Sequence, residues 1–180
     1  MSHILVISTS LRAKSNSDIL TERLIAGVKD AGHEVEYISL KGKTIKFCIG
    51  CLVCQKTQKC IQKDDAVEIA EKVKNADTLV FSTPIYYYEM SGQMKTLLDR
   101  MNPLYTTDYR FRRVYMLSTA TEDEDYTPGK AVSGLQGWVD CFEKAEFAGS
   151  LFCGGISDPG EALGKEEELI EAYQFGKSIL

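Results

Sequence analysis

No apolar stretch of this chain approaches the ~20 residues that a helix needs to cross a bilayer, so no membrane span is expected. Excess positive charge is missing as well. Lys and Arg number 21 against 26 Asp and Glu, a formal net charge of −5. Nucleic acid is therefore not an expected partner, because neutralising phosphates takes clustered cations. The acidic stretches 122–125 and 166–168 read as solvated faces. The first residues carry neither a basic segment nor a small-residue cleavage site, which predicts a cytoplasmic protein with reduced thiols. Neither G-x-G-x-x-G nor G-x-x-x-x-G-K-[ST] occurs, which argues against those dinucleotide and nucleotide fingerprints. No Ser-His-Asp or paired-carboxylate hydrolase set is visible, and His3 and His33 read as structural or exposed.

What is present is an alternation. Ile4–Ser8 is a continuous apolar run, as in a strand covered on both faces. Asp18–Ala31 has helical spacing and stops at Gly32. Glu34–Leu40 alternates as a strand does. Further helices are expected from Asp64 or Asp65 to Asn75, over Gly92–Met101, over Lys130–Ala145 (interrupted by Gly134 and Gly137) and over Glu161–Ile179. Further strands are expected at Asp77–Ser82, Arg113–Ser118 and Phe147–Cys153. Strands separated by helices imply a parallel sheet with right-handed crossovers. Five such strands predict an α/β, flavodoxin-like three-layer sandwich, its five-stranded parallel sheet in the order 2-1-3-4-5. The 180 residues suit one domain, 1–180, with a cysteine-rich insertion loop at about 44–63.

Two loops at strand carboxyl ends carry ligand-binding character, at the place where open α/β sheets bind ligands. After the first strand, residues 9–17 are rich in hydroxyls and include Arg12 and Lys14. They lead into a helix amino end, with its free N–H groups and positive dipole. This makes either a phosphate cradle or an ordinary βα loop with Ser17 or Asn16 as helix cap. After the third strand come Thr83, Pro84, Ile85 and three consecutive tyrosines, Tyr86–Tyr88, before Ser91 and Gly92. Such tyrosines supply a flat wall with polar tips for a planar ring, or else a subunit interface.

Four of the six cysteines fall within thirteen residues, as C-x2-C-x2-C-x5-C: Cys48, Cys51, Cys54 and Cys60. Thiolates suit zinc, Cu(I) or iron–sulfur clusters, and they also form disulfides or redox relays. A four-thiolate zinc site usually shows two separated C-x2-C pairs. Cys141 and Cys153 read as small buried apolar residues, and Trp138 as a packing or interface residue.

The run Ser82-Thr83-Pro84-Ile85-Tyr86, then Ser91-Gly92-Gln93-Met94-Lys95 and Asp99-Arg100, resembles the flavin-ring loop of the NADPH-dependent FMN reductase family. Thr9-Ser10-Leu11-Arg12 with Ser15-Asn16-Ser17 resembles that family's phosphate loop, with Thr9 and Ser15 where glycine is usual. Those two departures predict a less permissive turn. The resemblance implies that Ser10, Arg12, Ser15, Asn16 and Ser17 hold the FMN phosphate. It implies that Pro84, Ile85, Tyr86 and Tyr87 line the ring, with Ser118, Thr119, Ala120 and Thr121 on its other side. Gly154 and Gly155 are weaker candidates at the mouth. The cysteine segment, with the following Asp64-Asp65, is similar to the motif by which the family's iron–sulfur flavoproteins bind a 4Fe-4S cluster; zinc and metal-free thiols remain alternatives.

The resemblance further implies an FMN-dependent oxidoreductase or electron carrier. Its donor would be NADPH, NADH or a ferredoxin-like protein, its acceptor a quinone, a free flavin or a metal ion, and its assembly a homodimer or homotetramer. The flavin carries the chemistry, so no catalytic side chain is required. A reading of a different class is a non-catalytic, cysteine-based redox or metal-sensing module that uses the two loops only as scaffold.

Overall fold

The computed structural model describes residues 1–179, and Thr106 without its side chain. The elements run β1 (His3–Ser8), α1 (Asn16–Asp30), β2 (Glu34–Ser39), α2 (Val53–Thr57), α3 (Asp65–Asn75), β3 (Thr78–Tyr86), β4 (Glu89–Met90), α4 (Gly92–Asp99), β5 (Arg113–Thr119), α5 (Gly129–Val139), β6 (Glu146–Cys153) and α6 (Glu166–Ser178). Short 3₁₀ turns cover Asn102–Thr106 and Glu161–Gly164. The strand order is β2-β1-β3-β5-β6, all parallel, with β4 paired antiparallel to the end of β3. Counted without β4, this is the expected 2-1-3-4-5 order of a flavodoxin-like sheet.

Ile4, Leu5, Val6 and Ile7 are fully buried because both faces of β1 are covered. Leu5 and Ile7 face the apolar residues of α3, α4 and α5, while Ile4 and Val6 face α1 and α6. Helix α1 approaches α6 through two glycines. A Cβ on Gly27 would lie 2.0 Å from the Tyr173 carbonyl oxygen, and one on Gly176 2.1 Å from that of Leu24. Trp138 packs among Phe81, Phe111 and Phe142 on the other face, as a packing residue should.

Several boundaries differ from the sequence reading. Helix α1 begins at Asn16, and its cap is Ser15, whose hydroxyl accepts from the Asp18 N–H, rather than Ser17 or Asn16. Helix α5 stops at Val139, not Ala145, because Phe142 turns into the aromatic cluster. Cys141 is consequently exposed, a correction to its expected burial, whereas Cys153 is buried as expected. The last helix is two pieces: the 3₁₀ turn 161–164 precedes α6. Strand β4 and helix α2 carry too few residues for periodicity to register. β4 exists because Tyr87 (φ 52°) and Tyr88 (φ 66°) both take positive φ. Two such residues make a two-residue hairpin turn between the paired Tyr86 and Glu89.

Candidate functional site

The order of the sheet reverses between β1 and β3, and a cleft opens there at the strands' carboxyl ends. The loop after β1 contributes Ser10, Arg12 and Ser15, and the start of α1 contributes Asn16 and Ser17. Pro84, Ile85 and Tyr86 form a second wall, and Thr119, Ala120 and Thr121 a third. Two expected residues are not in the lining. Tyr87 sits at the hairpin tip, 98% exposed. Ser118 is fully buried, because β5 runs one residue beyond the predicted end and makes it strand interior. Among the described residues its hydroxyl has no partner. Ile156 and Ser157, beyond β6, line the cleft and were missed; the weaker candidates Gly154 and Gly155 just before them were the nearest signal.

The floor of the cleft is a chain of buried hydroxyls. Ser17 Oγ and Thr119 Oγ1 share a hydrogen bond at 2.7 Å. The Thr21 hydroxyl contacts both the Ser17 carbonyl oxygen (2.7 Å) and Ser82 Oγ (2.8 Å). A satisfied network of this kind fixes the positions of its members. Two residues clasp the far rim. Arg12 Nη1 donates to the Ser157 carbonyl at 2.7 Å. Asn16 donates through Nδ2 to the Asp158 carbonyl (2.9 Å) and accepts from the Ala162 N–H through Oδ1 (3.1 Å). The Asn16 amide keeps one N–H for a ligand.

The residues in place of the family's usual glycines are unstrained. Ser15 has φ −62°. Thr9 is not among the positive-φ residues; in this loop only Lys14 is, at 53°. Thr9 is buried, and its Oγ1 donates to the Ser82 carbonyl (3.0 Å) and meets Ser91 Oγ at 3.1 Å. Ser91 in turn receives Thr83 Oγ1 (3.2 Å) and caps α4 by accepting the Met94 N–H. The expected loss of permissiveness does not arise, because the chain does not use the left-handed region at either position.

The donor set suits FMN. The start of α1 offers main-chain N–H groups and the positive end of its dipole, Arg12 is exposed beside it, and the lining includes Ser10, Ser15, Ser17, Thr119 and Thr121. Pro84, Ile85 and Tyr86 supply the flat, largely apolar side that a tricyclic ring requires.

The cysteines lie on the segment between β2 and α3, which contains α2. Cys48 and Cys51 are exposed, Cys60 is half-buried and Cys54 is buried. Among the described residues no three Cys, His, Asp or Glu side chains converge as a metal-binding group. The segment is held from outside by a buried ion pair. Arg100, the C-cap of α4, donates through Nη1 and Nη2 to the Asp64 carboxylate at 2.6 and 2.9 Å. Both side chains are essentially inaccessible. Arg100 also donates to the Lys46 carbonyl, the Gln62 carbonyl and, at 3.3 Å, Cys60 Sγ. Burial alone would raise the Asp64 pKa. The Arg100 hydrogen bonds and the Lys46 N–H outweigh it and hold the carboxyl below its usual value. Asn102 Nδ2 points at Cys54 Sγ from 3.3 Å.

The segment carries four thiols, the ligand type and number of an iron–sulfur cluster, but among the described residues they are not gathered into one ligand set. Two of them already receive N–H donors, and Arg100 Nε, on the guanidinium that contacts Cys60, is buried without a partner among the described residues. Helix α4 joins the two regions: its N-cap, Ser91, belongs to the tyrosine-loop network and its C-cap, Arg100, to the cysteine segment. Its eight residues span about 12 Å. A groove lined by Leu11, Phe47, Gly92 and Thr96 among others lies between the two regions.

The family model described as NADPH-dependent FMN reductase matches residues 2–125. An iron-sulfur flavoprotein of Methanocaldococcus jannaschii is 38% identical over 101 residues, 56% of this chain and 52% of the relative. Another iron-sulfur flavoprotein, from Archaeoglobus fulgidus, is 41% identical over 99 residues, 55% and 49% of the two chains. The chain therefore spans about half the length of the curated relatives it matches. Among solved structures, an NAD(P)H:quinone oxidoreductase from Methanothermobacter marburgensis superposes with a TM-score of 0.78 at 19% identity, covering 98% of this chain and 94% of that one. This last likeness is one of fold.

Proposed function

This chain belongs to the NADPH-dependent FMN reductase family, and on that premise we propose that it is an FMN-dependent oxidoreductase whose cofactor occupies the cleft between β1, β3 and β5. The observation that carries the proposal is the convergence of the phosphate loop, the Pro84–Tyr86 wall and the Thr119–Thr121 turn on one cleft. FMN supplies hydride acceptance from NADPH or NADH and onward reduction of a small acceptor such as a quinone, a free flavin or a metal ion.

The chain's own contribution is binding and placement. Ser10, Ser15 and Ser17, the free N–H of Asn16 and the α1 amino end hold the phosphate. The Arg12 charge offsets it while the same side chain ties the rim to Ser157. Pro84, Ile85 and Tyr86 keep water from one side of the ring, and Thr119, Ala120 and Thr121 close the other. Tyr87 and Ser118 lie outside the lining of the cleft, the first in solvent and the second enclosed in the sheet.

The likeness to iron-sulfur flavoproteins supports a second centre on this chain, a 4Fe-4S cluster on Cys48, Cys51, Cys54 and Cys60 that exchanges single electrons with a ferredoxin-like donor. Family assemblies, homodimers or homotetramers, and a cytoplasmic location complete the reading, which treats residues 1–180 as one domain with the cysteine segment inserted at about 44–63.

The test of the flavin site is a titration of the purified protein with FMN, followed by quenching of flavin fluorescence. Submicromolar binding that is lost in Arg12→Ala/Ser17→Ala supports the assignment. Equal affinity in the double variant refutes the placement of the phosphate.

A further inference from the structure

Charge is spread unevenly along this chain. Residues 37–63 hold six lysines, Lys41, Lys43, Lys46, Lys56, Lys59 and Lys63, and no Asp or Glu, in a protein whose net charge is −5. All six are exposed. Lys41 and Lys43 are matched by Asp18 and Asp65 of the same chain. Among the described residues Lys46, Lys56, Lys59 and Lys63 enter no ion pair. The same segment leaves Phe47, Ile49, Leu52 and Ile61 more than half exposed, Phe47 by 78%.

The backbone under these side chains is held. Gln62 Nε2 donates to the Phe47 carbonyl at 2.8 Å, and the Asp64 carboxylate accepts the Lys46 N–H at 2.9 Å. Asp65 accepts the Thr44 N–H, and Arg100 donates to the carbonyls of both Lys46 and Gln62. The two ends of the segment are therefore joined to each other and to α4, so the cations and apolar groups stand on a fixed base.

We propose that residues 46–63 form a docking surface for a small acidic electron-carrier protein. The inference rests on the reading of the chain as an FMN-dependent oxidoreductase, and it requires no metal at the thiols. Exposed apolar groups interspersed with unpaired charges of one sign have the make-up of a surface that a complementary protein covers. The net negative charge of the whole chain repels an acidic partner everywhere else, so encounter is steered to this one face. The face also leads to the cofactor. Phe47 lines the groove that Leu11, of the phosphate loop, lines from the other side, and Leu11 is itself half-exposed. A carrier seated on the lysines is thus placed next to the rim of the flavin cleft. Nucleic acid suits the face less well, because the segment has no Arg and sets aliphatic side chains among its lysines. A bilayer suits it less well too, because α2, the helix of the segment, has only five residues and offers no long amphipathic face.

The experiment uses the full chain loaded with FMN, an acidic 2Fe-2S ferredoxin as the probe, and three proteins: wild type, Lys46→Gln/Lys56→Gln/Lys63→Gln, and Phe47→Ser. Calorimetry gives ferredoxin affinity at low and high salt, and light scattering gives the oligomeric state. Wild-type affinity is expected to fall at least about tenfold between the two salts, and the triple variant to bind at least about tenfold more weakly at low salt with a flatter salt dependence. Phe47→Ser is expected to weaken binding at both salts. FMN affinity should stay within about twofold throughout, because none of the four replaced residues lines the cleft. Ferredoxin binding that is absent in the wild type, or equal in the triple variant, overturns the inference. So does a triple variant that only loses self-association, which assigns the face to a second copy, and so does wild-type binding to phosphatidylserine vesicles in place of ferredoxin. A wild type that takes up no FMN fails the oxidoreductase reading itself, a result read separately from the ferredoxin titration.

Discussion

At the scale of single residues, the two cysteines outside the motif separate cleanly. Cys153, at the end of β6, is enclosed, and burial together with Glu171 and Glu168 pushes its thiol up to about 12. It should resist alkylation at pH 8 in the native protein, while Cys141, out in the turn after α5, reacts; mass spectrometry of iodoacetamide-treated protein reads both. Native labelling of Cys153 at a rate comparable to Cys141 would contradict the structure. The sequence treated the two alike because a cysteine's burial depends on where its helix stops, and α5 stops at Val139 for the sake of a ring, Phe142, that enters a distant aromatic cluster. The phosphate loop was legible for the opposite reason. Ser10, Arg12, Ser15, Asn16 and Ser17 are contiguous, so a local pattern names them and the strand before them places them. What the pattern did not reveal is that Arg12 and Asn16 also bind the 157–162 loop, some 140 residues away in sequence.

At the scale of elements, the β3–β4 hairpin and the α1–α6 pair carry predictions of opposite sign. Tyr87 holds φ 52° with its ring almost wholly in water, so it has strain and no packing to offset it. Tyr87→Asn should stabilise the protein by roughly 0.5–1 kcal/mol, since asparagine tolerates the left-handed region. An unchanged urea midpoint would deny that strain. Tyr88 shares the conformation but stacks on Tyr126 at 6.1 Å, so the same replacement there also loses a ring contact. Gly27→Ala should instead cost about 1–3 kcal/mol, because the new methyl meets the Tyr173 carbonyl at 2.0 Å in a helix backbone that has no room to yield. Denaturant unfolding measures it, and a neutral result would mean that α1 and α6 are not in this register. The five longer helices and five parallel strands that build the core were readable from periodicity and from buried apolar runs. Helix α2 was not, since its five residues lie in a segment whose pattern is set by cysteines rather than by an apolar face.

For the whole molecule, acid should act through a few tethered carboxylates. Asp77 is held below the usual carboxylate range first by the His3 N–H, a contact that ties the starts of β1 and β3 together, and, against some burial, by Arg110. Asp108 is lowered by Lys144, and Glu161 by the Asp158 and Ser157 N–H groups at the rim of the cleft. A depressed carboxyl pKa means that the unfolded chain takes up protons first. Its contribution is therefore complete above the unfolded value near 4 and is lost as pH falls through the lower folded value. Thermal midpoints should be level from pH 5 to 7 with respect to these groups and decline below about pH 4. Asp77→Asn should flatten that decline, and an identical acid profile in the variant would remove Asp77 from the account.

The central claim is that one cleft at the reversal of the sheet holds FMN, and the direct measurement is the absorption spectrum of anaerobically purified protein after FMN is added and excess removed. The account predicts resolved, red-shifted flavin bands at one FMN per chain, lying on a broad sulfide-to-iron shoulder when the four cysteines are loaded. A protein that remains colourless after this treatment would contradict the flavin site and leave only the cysteine segment to carry a function.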